Sequence, residues 1–188
     1  MAIKIYIDQG HNPRNPNAGA EGNGLREQDI VYRVGIELAE LLRANGNFDV
    51  RLSRPTADTQ IGTSNSTSLR ARVSDANAWG ADYFISIHTN ASVSQSARGT
   101  EVLVYSSPSQ AASLAEDVVR EVTEITGFPN RGVKLRPGLY VLRRTNMPAI
   151  LVELGFISNP YEANFMANNP SLFAQGIYQG LLVYLSLS

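Results

Sequence analysis

Apolar residues recur along this chain with two periods. Residues 3–8, Ile-Lys-Ile-Tyr-Ile-Asp, read as a short β-branched and aromatic strand. After a Gly-, Asn- and Pro-rich stretch over 10–24 comes the strongest helical pattern, 27–44. There Ile30, Val31, Val34, Leu38, Leu41 and Leu42 form one stripe, and Asn45-Gly46 ends it. Residues 48–53 read as a second strand, 55–68 as a polar loop and 69–79 as a helix closed by Gly80. The run at 82–88 and the segment 99–106 predict a third and a fourth strand. Residues 110–126 carry Leu114, Val118, Val122 and Ile125 on one helical face, up to Gly127. Two further strands are expected at 139–143 and 149–156, and a last helix over about 171–185.

Strands alternating with helices of ten or more residues imply βαβ units. The fold class expected is α/β, a single domain over 1–188 with a mostly parallel sheet of about six strands flanked by helices. The short spacing between the third and fourth strands, and between the last two, allows some antiparallel pairing. No internal repeat, low-complexity segment or linker interrupts the pattern.

Composition narrows the function classes. A chain of 188 residues can bury about 70% of the surface that its unfolded form exposes, enough for a core without staples. With no cysteine it has neither disulfides nor thiolate metal ligands. Sixteen Lys and Arg against seventeen Asp and Glu give no electrostatic reason to expect a nucleic acid or an anionic membrane as partner. No apolar run approaches the roughly 20 residues of a membrane span. The opening residues do not place a basic region, an apolar core and a cleavage site in series, so no secretory signal is expected in this chain.

The chemistry concentrates in four residues. The only histidines, His11 and His88, each fall at the end of an expected strand, where an open α/β sheet binds ligands. Each imidazole could equally cap a helix or bond a loop carbonyl. Steps of three and four back from Leu41 through Leu38, Val34 and Ile30 reach Glu27, which places its carboxylate on the inward face of the first helical turn. There it could complement the helix dipole or bind a metal beside the His11 loop. Glu153 interrupts the most apolar strand, and a carboxylate in such a run must be neutral, paired or bound. Its alternatives are an ion pair with Arg72 or Arg143 and a general acid–base of raised pKa. Two imidazoles and one carboxylate leave a coordination position open, the form of a catalytic zinc site. The signature His-Glu-x-x-His, the Gly-x-Ser-x-Gly elbow, the Walker loop and a Gly-x-Gly-x-x-Gly after a strand are all missing.

Four segments in order carry a family resemblance: Ile-Asp-Gln-Gly-His at 7–11, Gly-Leu-Arg-Glu at 24–27, Ile-Ser-Ile-His-Thr-Asn-Ala at 85–91, and Pro-Ala-Ile-Leu-Val-Glu-Leu-Gly-Phe-Ile-Ser-Asn at 148–159. Leu69 with Arg72, Gly99-Thr100-Glu101 and Arg131-Gly132-Val133-Lys134 support them. The sequence resembles the zinc-dependent N-acetylmuramoyl-L-alanine amidases, which cut bacterial peptidoglycan. The resemblance implies one Zn²⁺ held by His11, Glu27 and His88, with Glu153 catalytic and Asn90 lining the site. It implies peptidoglycan as substrate and action at the bacterial cell wall. Two features depart from the family: Asn12-Pro13 follows His11 where many members have glycines, and residues 55–68 are too short and polar for the autoinhibitory helix of some members. An open site needing no activator protein is therefore expected. The competing readings are a zinc carboxypeptidase of related fold and a cell-wall binding module without activity.

Overall fold

The apolar segments assemble into one six-stranded sheet with helices on both faces. The computed structural model describes residues 2–187. In chain order the elements are β1 (Ile3–Gln9), a small antiparallel hairpin of β2 (Glu21–Gly22) and β3 (Leu25–Arg26), α1 (Glu27–Asn45), β4 (Phe48–Leu52), α2 (Asn65–Trp79), β5 (Tyr83–Asn90) and β6 (Thr100–Val104). Then come α3 (Gln110–Thr126), β7 (Asn130–Leu135), α4 (Tyr140–Arg143), β8 (Ala149–Phe156), α5 (Pro160–Asn168) and α6 (Pro170–Leu185).

The sheet order is β4-β1-β5-β8-β6-β7. Every neighbouring pair is parallel except β6–β8. One face packs on α1, α3 and α6 through Ile5, Ile7, Ile85, Ile87, Ile150, Val152 and Leu154. The other carries Tyr6, Phe84, Leu103 and Leu151 against α2 and α4. Alternation along each strand then assigns Asp8, Ser86, His88, Glu101 and Glu153 to this second face, at its polar end.

Local chemistry sets the element ends. Ser64 and Thr67 form a capping box at the start of α2, Ser109 caps α3, and Asn159 with Pro160 opens α5. Gly46, Gly80 and Gly127 take left-handed conformations where α1, α2 and α3 stop.

Several expectations change. Residues 139–143, expected as a strand, form the single helical turn α4, in which the Arg143 amide donates to the Leu139 carbonyl. A run this short buries Val141 and Leu142 either way, so its hydrophobicity does not discriminate. The sixth strand is instead β7, whose Gly and basic residues suit a sheet edge and mask its strand character. The antiparallel pairing joins β6 to β8, which are distant in sequence. Helix α2 starts four residues before the apolar pattern does, and α5 and the β2–β3 hairpin lie in segments without a periodic signal. Among the described residues no helix is long and apolar enough to cross a membrane.

A buried polar hub ties α2 to the end of β1. Arg72, 1% exposed, donates to Asp8 Oδ1 and to the carbonyls of Gln9 and His11, each at 2.6 Å. Ser86 Oγ donates to the other Asp8 oxygen at 2.8 Å. Burial alone would raise the Asp8 carboxyl, but the Arg72 guanidinium and the Ser86 hydroxyl outweigh it and hold its pKa below the usual range. The pair therefore contributes stability above the unfolded Asp pKa of about 3.9, which is lost as pH falls through the lower folded value. Arg72→Met should destabilise the fold by about 3–5 kcal/mol, because it strands the buried Asp8 charge. Denaturant melts at neutral pH test this, and the deficit should shrink as pH falls, starting above the ordinary Asp pKa, because burial without Arg72 raises the Asp8 pKa in the variant.

Candidate metal centre and active site

Three elements bring three donors together. His11 follows β1 in a turn where its φ is +64°, a conformation costly for a residue with a side chain. The Arg72 bond to its carbonyl and the bond from the Asn12 amide to the Asn17 carbonyl hold that turn. His88 projects from β5, and Glu27 is the first residue of α1. His11 Nε2 lies 3.2 Å from Glu27 Oε2, and His88 Nδ1 lies 3.0 Å from Glu27 Oε1. One ligand atom from each residue falls within 4.8 Å of the other two. A tetrahedral site with bonds of about 2.0 Å sets neighbouring donors about 3.3 Å apart, so the cluster has the dimensions and donor set to hold a metal ion.

The carboxylate is fixed before any cation arrives. Glu27 Oε1 accepts the Thr89 amide and Oε2 accepts the Ala20 amide, both at 2.9 Å. Burial would raise its pKa, but hydrogen bonds from both imidazoles reverse the shift and keep it far below the ordinary carboxylate range. A carboxylate ionised at neutral pH is what a cation requires. The cluster also excludes side chains next to it. A Cβ on Gly19 would sit 2.8 Å from Glu27 Oε2 and 2.9 Å from His11 Cδ2, and one on Gly10 would sit 2.5 Å from His88 Cε1. The imidazoles keep 22% and 19% of their surface exposed, against 4% for Glu27, so the cluster is open on one side.

Glu153 lies on β8 directly beside His88 in the strand register. Neither expected arginine pairs with it: Arg72 belongs to Asp8, and Arg143 is exposed on α4. The other buried carboxylates are all satisfied. Glu162 accepts the amides of Gly99 and Phe156, and Glu101 accepts Asn90 Nδ2 and Arg131 Nε. Glu153 Oε2 is buried without a hydrogen-bond partner. Burial, with the Glu27 and Glu101 carboxylates, pushes its pKa up to about 7 against the opposing His88 and Arg136 charges. An unpartnered carboxyl of this kind can carry a proton to and from a reacting group.

Asn90 stands at the end of β5, but its side chain is largely committed, donating to Glu101 at 3.1 Å and accepting the Ala91 amide at 2.9 Å. Sequence reasoning assigned no role to Glu101, the register neighbour of Glu153, or to Arg131, which bonds to Glu101. Their only signal was the pair of short matches at 99–101 and 131–134.

His88→Ala should abolish binding of a divalent metal, and Gly19→Ala should weaken it by about ten- to a hundredfold by displacing two donors at once. Competition against a chromophoric chelator measures both. Unaltered affinity in Gly19→Ala would show that the described packing does not set the donor geometry.

Comparison with known proteins shows the family and the fold. The profile of the N-acetylmuramoyl-L-alanine amidase family matches residues 5–183. The chain is 36% identical over 180 residues to the N-acetylmuramoyl-L-alanine amidase CwlM of Bacillus licheniformis, covering 95% of this chain and 65% of that relative. This chain thus spans just under two thirds of that protein's length. Its fold superposes on the N-acetylmuramoyl-L-alanine amidase of Clostridium difficile 630 with a TM-score of 0.88 at 31% identity, covering 98% of this chain and 97% of the other. Against the CwlD amidase of Clostridioides difficile, solved in complex with the GerS lipoprotein, the TM-score is 0.90 at 26% identity, covering 99% and 100%. By profile, relatives and fold, this chain belongs to the N-acetylmuramoyl-L-alanine amidase family.

Proposed function

We propose that residues 1–188 form a zinc-dependent amidase domain that hydrolyses the amide between N-acetylmuramic acid and L-alanine in peptidoglycan, acting at the bacterial cell wall. The observation that carries this reading is the juxtaposition of His11, Glu27 and His88 with Glu153 on the adjoining strand, a carboxylate whose Oε2 is buried without a hydrogen-bond partner. Two imidazole nitrogens and one carboxylate oxygen suit zinc with a position left for water or substrate. The ion held there would supply Lewis-acid polarisation of the scissile carbonyl and a water of lowered pKa.

The protein's own groups do the rest. His11 and His88 orient the site from two neighbouring strand ends, and Glu27 contributes a fixed negative charge. Glu153 takes the proton of the attacking water. The same carboxyl then donates it to the leaving alanine nitrogen, since an amine does not leave as an anion. No side chain needs to form a covalent intermediate. The exposed imidazole edges leave the cluster open on one side, which suits a polymeric substrate. The 55–63 loop is tied to the His11 loop by Asn12, which bonds both the amide and the carbonyl of Ile61. It is thereby held beside the ligands, which supports activity without an activator.

Glu153→Gln keeps the shape and removes the titrating group. Metal content and melting temperature should be preserved, while turnover on purified peptidoglycan should fall by about two to four orders of magnitude. Loss of the metal would make Glu153 a fourth ligand, and near-normal turnover would place the proton carrier elsewhere. The unmodified protein alone should clear cell walls and release new alanine amino termini. Strict dependence on an added protein would contradict the open-site reading.

A further inference from the structure

The two sides of the metal cluster differ in charge. On the His11 side, the loops 12–20 and 55–63 carry only Arg14 and Asp58 as charged residues and are otherwise built of Asn, Gln, Thr, Pro and small or apolar residues. On the Glu153 side, the sheet continues through β6 and β7, and basic residues gather there. The register pairs Glu101 with Glu153 and Leu103 with both Leu151 and Lys134. Paired residues share a face, so Lys134 stands on the same face as Glu153. Arg131 reaches this face too: its Nε donates to Glu101 at 2.9 Å, and its guanidinium lies 5.0 Å from the Phe156 ring centre. Arg136 is close enough for its charge to favour the ionised form of Glu153.

These cations outnumber their partners. Arg131 has Glu101. Among the described residues Lys134 makes no ion pair or side-chain hydrogen bond, and the only side-chain bond from Arg136 is to the neighbouring Leu135 carbonyl. Three cations thus share one flank with two carboxylates, Glu101 and Glu153.

The reaction fixes which part of the substrate meets that flank. The scissile carbonyl must sit at the His11–Glu27–His88 cluster, over β1 and β5, and the nitrogen must come within reach of Glu153 on β8. The bond then points along the sheet from β5 toward β8, and the amine product continues over β6 and β7. The acyl sugar is left on the neutral, amide- and hydroxyl-rich side. We propose, resting on the amidase reading above, that Lys134, Arg136 and Arg131 form the subsite for the leaving peptide and select one that carries a free carboxylate close to its amino terminus.

Two synthetic N-acetylmuramoyl-L-alanyl peptides test this, identical except for a carboxylate or a carboxamide on the residue after alanine. The holoenzyme should favour the carboxylate by about tenfold in kcat/KM, the size of one charge-assisted hydrogen bond to a partly exposed cation, with the difference in KM. Raising the salt concentration should shrink the preference. In a Lys134→Gln, Arg136→Gln double variant the ratio should drop to within about twofold of unity, whereas Lys134→Arg should retain it. Equal rates on the two peptides, or a preference that survives the double variant, would overturn the assignment. So would a double variant that keeps the preference but binds phosphate-rich walls less well, because the strip would then serve an anionic wall polymer. Failure to cleave either peptide would overturn the amidase reading itself.

Discussion

The site depends on one buried guanidinium. Arg72 enters from α2 and, with Asp8 as counter-charge, holds the backbone just where β1 ends. That backbone must turn through a left-handed residue to present His11, a conformation the chain would otherwise leave. The carbonyl of His11 is one of the acceptors that Arg72 satisfies, so the strain of the turn and the burial of the arginine are resolved by the same contacts. A charge as costly to bury as Arg72 is tolerated because its strong bonds to Asp8 and to the Gln9 and His11 carbonyls satisfy it, and all of them fall on the segment that carries His11.

From that fixed point the chemistry follows by elimination. Asp8, Glu101 and Glu162 are buried carboxylates with partners, Glu27 is locked by two backbone amides and two imidazoles, and among the described residues the one buried carboxylate oxygen without a bond is Glu153 Oε2. The parallel order β1-β5-β8 sets these functions side by side at one end of the sheet, as open α/β folds do with their ligands. The antiparallel β6 then brings Glu101 beside Glu153, and the sheet continues past it to the basic edge strand β7.

The sequence made the centre of this arrangement legible and left its margins dark. The Glu27 carboxylate could be placed because it continues a long apolar stripe, and Glu153 because a charge stands out in an unbroken apolar strand. The resemblance named the same residues. Arg72 was visible as part of a supporting match and as a candidate partner for Glu153, but not as the partner of Asp8, since which carboxylate a buried arginine reaches is decided by long-range packing. Strand β7 was missed because an edge strand rich in basic residues and glycine lacks the period-two signal. Segment 139–143 took the wrong form because five residues are too few to separate a buried turn from a buried strand. The basic flank could not be read without β7 and the reversed β6.

The central claim is that His11, Glu27 and His88 hold the catalytic metal while Glu153 stands beside it, unbound. Anomalous diffraction at the zinc edge from crystals of the zinc-loaded protein tests this most directly. One peak is expected, about 2.0–2.2 Å from His11 Nε2, His88 Nδ1 and a Glu27 oxygen, with Glu153 outside bonding distance. A peak elsewhere, or one bonded to Glu153 in place of any of the three, would contradict the account.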